Sequence, residues 1–393
     1  MNTYIRRYIK RLCRSIDKLL YILFKNTTKI DNRLIIFEGM LGRFDESSWV
    51  LYNYLRKKNK YKFVWIVKNQ SKFRSSDDTK YISRFYYLCN IMADFYYAKA
   101  AYSFYTHTTS PIMYKRPGQF KIYIGHGYAI KAGKSSGRQR FNNFDYAFAM
   151  GKNAISTQAL FIECEEKELL PLGLPRNDLL IRNTGKGIEN PFIGEGHYKK
   201  VILWMPTFRE SVNLNISEQT CATETGLPLF DTDEKVNQLN DYLSKCDCAI
   251  ILKIHPFQTN KQIFKKKFSN IIIVTNDDID NINKQLYELV GYSDALLTDY
   301  SSISIDYLLL DKPIGYILYD IESYEKDRGF TSDDPRDVMA GDLLYSIENV
   351  YDFISNIVEG VDHYKNERDL LRQRVHDAPK GNSCELICNF FNL

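Results

Sequence analysis

From residue 34 onward the chain alternates between two hydrophobic patterns. Short unbroken apolar runs occupy 34–37, 63–67, 102–105, 120–124 and 146–150, and runs of that length beside Gly, Asn or Asp predict buried strands. Between them, 47–58, 84–99 and 153–165 repeat apolar residues every three or four positions, which predicts helices. Residues 183–197 interrupt the rhythm with four glycines and one proline, the composition of a linker. A second set follows, with strands at 201–205, 249–254, 271–275, 295–298 and 314–319. Its helices fall at 233–245, 281–291 and 303–310, and the chain is expected to be helical again from about 342. This β-α-β order predicts an α/β protein with two parallel, doubly wound sheets. The expected division is a helix over 1–30, an amino-terminal α/β domain over 31–183, a linker at 184–198 and a carboxy-terminal α/β domain over 199–393, its last helices crossing back. A length of 393 residues agrees, being more than one ordinary core covers.

Ahead of the first strand the pattern is different. Ile5, Ile9, Leu12, Ile16, Leu19 and Leu23 recur at helical spacing, with Arg6, Arg7, Lys10, Arg11, Arg14 and Lys18 largely between them. Residues 1–33 hold nine Lys or Arg against two Asp, which is more than the whole chain's net charge of +5. The remainder is therefore close to neutral, which argues against nucleic acid as a partner. Two readings stand for the basic helix. It lies in the surface of an anionic cytoplasmic leaflet, or it docks on the protein's own body with its charges solvated. Charges interrupt the apolar positions and no small-residue cleavage site follows, so a signal peptide is not expected. The longest clean apolar run, 19–24, is too short to span a bilayer.

The eight cysteines are scattered, with no CxxC pair, and the single CxC at 246–248 has no nearby His. No metal site and no cofactor are expected, and a reduced, cytoplasmic compartment fits best.

Open α/β sheets bind ligands at the carboxyl ends of their strands, and polar residues collect at those ends here. His126 follows the run 120–124, between Gly125 and Gly127, and Lys131 lies five residues on. Thr207 and Arg209 follow 201–205, Lys253 and His255 end the run 249–254, and Asp299, Ser301 and Ser302 follow 295–298. A Ser-rich turn opening a helix offers orphan N–H groups and hydroxyls to a phosphate, although Asp and Ser are also ordinary caps. Each His taken singly reads equally well as a hydrogen-bonded turn residue, and Arg209 as half of a surface ion pair.

The stretches HGYAIKAG (126–133), GLPRNDLL (173–180), MPTFRE (205–210), KIHPF (253–257) and TDYSSISIDYLLLDKPIGYILYDIESYEKDRGF (298–330) resemble, in this order, the CDP-glycerol glycerophosphotransferases of teichoic acid and capsule synthesis. The resemblance implies two Rossmann-like domains in the GT-B architecture, with an acceptor side in the first and a CDP-polyol donor side in the second. It implies transfer of glycerol phosphate from CDP-glycerol to a hydroxyl of a lipid-linked acceptor, releasing CMP. It also implies that His126 and His255 are the catalytic pair. Lys131, Thr207, Arg209, Lys253, Asp299, Ser301, Ser302, Asp306 and Arg328 are then expected around the donor and its diphosphate. Arg176 and Asp178 are expected either to shape the floor of the site or to pair with each other. The family's first motif has Trp before the His and Thr-Pro after the Gly; here Gly125 precedes it and Tyr128-Ala129 follow. Those changes leave the acceptor open, and CDP-ribitol in place of CDP-glycerol. A nucleotide-sugar transferase and a non-catalytic scaffold of polymer assembly are the alternatives of other kinds.

Overall fold

A computed structural model describes residues 3–39, 44, 46–83, 90–106, 115–125, 127–132, 144–182, 190–193, 198–207, 224–254, 262–282, 284–327, 329–377 and 381–393. The chain forms two compact units. The first comprises Met1–Gly127, Gly137–Asp178 and Asn382–Leu393; the second comprises Tyr128–Ser136 and Leu179–Gly381. Two short segments thus sit in the unit opposite to the one their place in the expected division suggested.

In the first unit the strands are β1 (Asp31–Glu38), β2 (Lys62–Val67), β3 (Thr79–Ser83), β4 (Ala100–Tyr105), β5 (Phe120–Tyr123), β6 (Tyr146–Phe148) and β7 (Leu169–Leu170). Among the described residues they form one parallel sheet in the order β3-β2-β1-β4-β5-β6-β7. Leu34, Ile35, Ile36 and Phe37 are all buried, as a parallel strand covered on both faces requires. β3 and β7 were not expected. The first reads TKYIS with only its leading Thr79 buried, and the second is two residues long, so neither makes an apolar run.

The basic helix, Thr3–Thr27, belongs to this unit and is docked through apolar and polar contacts together, Tyr21 lying in a buried cluster with Leu34, Ile36, Val64 and Tyr97 and Phe24 packing against it. Asp17 is buried and accepts the Asn90 backbone N–H at 3.0 Å. The Tyr21 hydroxyl donates to Gln119 at 2.8 Å, and Phe24 meets Phe95 edge-on at 5.5 Å. Arg116 donates to the carbonyls of Lys25 and Thr28 at 2.5 and 2.8 Å, satisfying acceptors that a helix end leaves open. The docked face is therefore a mixed one, with Ile16, Leu20, Tyr21 and Phe24 beside Asp17, and it leaves part of the apolar side uncovered. Leu12, Leu19 and Leu23 remain 50%, 66% and 55% exposed, with Tyr8 and Ile22 also outward and the side chains of Arg11 and Lys18 exposed beside them. The side chains of Arg6, Arg7, Lys10 and Arg14 lie outside the described residues.

At the other end of the chain the helix Ser383–Phe391 completes the same unit. Phe391 is buried against Tyr102, Phe104, Phe120 and Tyr146, with ring centroids 5.7 to 6.3 Å apart.

The second unit holds β8 (Lys200–Trp204), β9 (Cys248–Lys253), β10 (Ile271–Val274), β11 (Ala295–Thr298), β12 (Ile314–Ile317) and β13 (Asp342–Leu344). They form a second parallel sheet, ordered β10-β9-β8-β11-β12-β13. The expected helix from 342 is corrected here. Residues Asp342–Leu344 pair with β12, and Gly341 passes so close to Ile314 that a Cβ would stand 2.1 Å from its carbonyl oxygen. Helix begins only at Ile347, where Ser346 caps it through the Asn349 N–H. The helix expected over 281–291 is two, Asn276–Asn281 and Leu286–Gly291, each with its own capping box, from Thr275 and Gln285.

Candidate functional site in the second unit

β8 and β11 are neighbours at which the order of the second sheet reverses direction, the topological switch point where doubly wound sheets take ligands. The segments leaving their carboxyl ends are pinned to each other. Met205 N–H donates to Leu297 O at 2.9 Å, and Thr298 Oγ1 donates to Met205 O at 2.8 Å. One step further, the carboxylate of Asp299 accepts the Thr207 backbone N–H at 3.1 and 2.9 Å and also the Thr207 hydroxyl. Asp299 is fully buried and Thr207 nearly so. Lys131 Nζ donates to Thr207 Oγ1 at 3.0 Å. Three residues singled out in separate motifs thus meet in one hydrogen-bonded series.

Lys131 reaches this place because its segment, Tyr128–Ser136, is part of the second unit. Lys131 forms an antiparallel bridge with Phe330. Ala132 N–H donates to Gly329 O at 3.0 Å, and Thr331 donates from its N–H to Ile130 O at 2.9 Å and from its hydroxyl to Ala129 O at 2.6 Å. The first motif is therefore stitched to the end of the last one, 200 residues away. Phe330 joins Tyr300 and Tyr324 in an aromatic cluster; Tyr300 stacks on Tyr324 at 4.2 Å and donates its hydroxyl to Asp320 at 2.9 Å. Neither Tyr300 nor Tyr324 was expected to pack here, since the first reads as part of a polar turn and the second sits in the charged stretch 320–328.

Lys253, at the carboxyl end of β9, is buried and donates to the Ile254 carbonyl at 2.9 Å. Ser301 and Ser302 are half-buried, and Ser302 opens the helix Ile303–Tyr307 without spending its hydroxyl on a cap. Asp306 has a structural partner. It is fully buried and accepts the Tyr287 hydroxyl, so it ties the helix Ile303–Tyr307 to the helix Leu286–Gly291. Beneath the same helix His376 is buried, its Nε2–H donating to the Ile305 carbonyl at 2.7 Å. His126, Arg209, His255 and Arg328 lie outside the described residues. Among the described residues no cluster of three or more His, Cys, Asp or Glu could hold a metal ion.

In the first unit Gly127 has φ +91°, and a Cβ there would lie 2.2 Å from Arg176 Nη2, so the backbone and the guanidinium are in close approach. The side chain of Asp178, fully buried, is engaged by the last helix. Its carboxylate accepts the N–H groups of Ser383 and Cys384 at 2.8 and 2.9 Å.

The family model for CDP-Glycerol:Poly(glycerophosphate) glycerophosphotransferase matches residues 20–392. The chain belongs to that family. The glycerophosphotransferase resemblance carried by the five motifs is thereby borne out over nearly the whole sequence. Relatives include the teichoic acid glycerol-phosphate transferase of Staphylococcus aureus, 23% identical over 98% of this chain and 98% of its own length. Another is the teichoic acid ribitol-phosphate primase of Bacillus spizizenii, 31% identical over 48% of this chain and 45% of its own. The chain spans about half the length of the first curated relatives that it matches, 52% and 45%. Among solved structures, that of the wall teichoic acid polymerase TagF superposes with a TM-score of 0.76 at 21% identity, covering 99% of this chain and 97% of that one. One form of TagF was soaked with CDPG. The glycerophosphotransferase family member described here shares the GT-B-like α/β fold of TagF.

Proposed function

We propose that the chain transfers glycerol phosphate from CDP-glycerol to a hydroxyl of a lipid-linked teichoic-acid-like or capsular polymer acceptor, releasing CMP. The family match over 20–392 carries this reading. The acceptor oxygen attacks the phosphorus that bears glycerol, a new P–O bond forms, and the bond to the CMP oxygen breaks. His126 takes the proton of the attacking hydroxyl, and His255 contacts the transferred phosphate. Lys131, Arg209, Lys253, Ser301, Ser302 and Arg328 neutralise the diphosphate, a step that is largely electrostatic positioning. No metal and no organic cofactor enter the step.

In this reading the chain works at the cytoplasmic face of a membrane, which the exposed apolar side of the helix Thr3–Thr27 and the cations Arg11 and Lys18 beside it support. No helix among the described residues is long and apolar enough to cross a membrane. CDP-ribitol is the second donor to consider, because the Bacillus spizizenii relative at 31% identity is a ribitol-phosphate primase.

CMP release from CDP-glycerol and from CDP-ribitol, each with and without a prenyl-diphosphate-linked acceptor, is the test. Acceptor-dependent release from CDP-glycerol is expected, and it should fall by about 100-fold or more in His126→Ala and in His255→Ala. Release from CDP-ribitol alone would move the chain to the second reading, and near-normal turnover by either variant would remove that histidine from the chemistry.

A further inference from the structure

Lys131, Thr207 and Asp299 place a cation, a hydroxyl and a carboxylate in series inside one unit. Asp299 is fully buried, and it takes both the backbone N–H and the hydroxyl proton of Thr207. A threonine hydroxyl owns a single proton. With that proton committed to Asp299, the oxygen faces Lys131 as an acceptor, 3.0 Å from Nζ. A diphosphate needs donors, and this hydroxyl has already given its own.

We infer that Thr207 and Asp299 are positioning residues for Lys131, and that Lys131 is the member of the series that meets the donor diphosphate. Two independent features of the fold point the same way. The segment that carries Lys131 is fixed through its backbone to residues 329–331, so its path is set by Ala132, Thr331 and their partners and not by a ligand. Thr207 and Asp299 follow β8 and β11, the strands at the switch point. The backbone stitches locate the Lys131 Cα, and the hydroxyl sets the direction of the ammonium. A lysine head on four methylenes is otherwise costly to order at the moment of binding. Holding it through a hydroxyl anchored on a buried carboxylate lowers that cost and leaves the ammonium its charge.

The CDP-polyol reading underlies this role for Lys131, so the test must separate the two. CMP release is measured with the full chain as wild type, T207S, T207V, K131M and the double variant T207V/K131M, with the donor KM and kcat resolved. T207V and K131M are each expected to raise the donor KM by about 10-fold, the value of one hydrogen bond to a charged group. T207S keeps the hydroxyl and should stay within about twofold of wild type. The double variant should be no worse than K131M, since Thr207 acts through Lys131. Additive losses in the double variant, or T207S as impaired as T207V, overturn the relay. If T207V does not fold, T207A takes its place under the same criterion. A wild type that releases no CMP from CDP-glycerol or CDP-ribitol overturns the donor reading and this role with it; an active wild type with additive losses overturns the relay alone.

Discussion

Asp178 shows how one side chain can close a chain on itself. It is fully buried, and it caps the helix Ser383–Phe391 from 205 positions away by accepting two N–H groups that the helix leaves unpaired. The flanking residue Asn382 makes no side-chain cap, so this carboxylate does that work. Gly173 lies at the same junction, where a Cβ would come within 2.4 Å of Ser383 Oγ. Gly173 and Asp178 of the GLPRNDLL stretch therefore serve as a clasp for the last helix. Asp178→Asn should lower unfolding stability by about 2 kcal/mol, read from the urea midpoint, and should speed amide exchange across 383–391. Lys121 makes a second prediction at this scale. Burial, reinforced by the charge of Lys115 and opposed by Glu38, pushes its ammonium down to about 7 from the ordinary value of 10.5. In that window the unfolded chain binds a proton that the folded one does not, so stability rises with pH between about 7 and 10.5. Lys121→Met removes the penalty. Its gain in Tm over wild type should be largest below about pH 7 and fade towards pH 10.5; a gain that does not vary with pH would contradict this.

At the scale of elements, the basic helix divides its labour between two faces. The Asn90 N–H donated to Asp17, the Tyr21 hydroxyl donated to Gln119 and the packing of Tyr21 and Phe24 hold it to its unit, while Leu19 and Leu23 stay outward. Replacing both leucines by Asp should leave the melting temperature near wild type and abolish sedimentation with vesicles containing anionic phospholipid. Wild-type sedimentation should itself weaken as salt rises. Equal sedimentation of the two proteins would remove the membrane surface as the partner of this face. The helix was legible from its spacing, but the docked side was not, because apolar residues recur on both sides and the partners that choose between them, among them Asn90, Gln119 and Phe95, are distant in sequence. Most strands were legible for the opposite reason: in a parallel sheet covered on both sides they are unbroken apolar runs, as at 34–37 and 249–254. β3 and β7 carry no such run. β13 was misread because Leu343 and Leu344 are followed directly by a true helix start.

Across the whole molecule, the two-unit α/β plan could be read from alternation alone, while the exact ownership of segments could not. Periodicity records which residues are buried and says nothing of what buries them. The polar positions after β8 and β11 could be picked out because strand ends can be counted; the packing of Asp306 could not, because its partner Tyr287 lies on another helix. Removing residues 382–393 should damage the amino-terminal unit and spare the second. The expected outcome is a lower-temperature unfolding step, with dye binding to the uncovered ring surface of Tyr102, Phe104 and Phe120. A single unchanged transition would refute it.

The berth of Phe391 also orders events during synthesis. Although β1 to β7 leave the ribosome early, the aromatic surface they build has no cover until the chain has been extended through residue 391. The second unit, which ends at Gly381, has all of its residues in hand by then. The half that is translated first is thus the half whose folding ends last, and in the interval its bare rings are an address for chaperones.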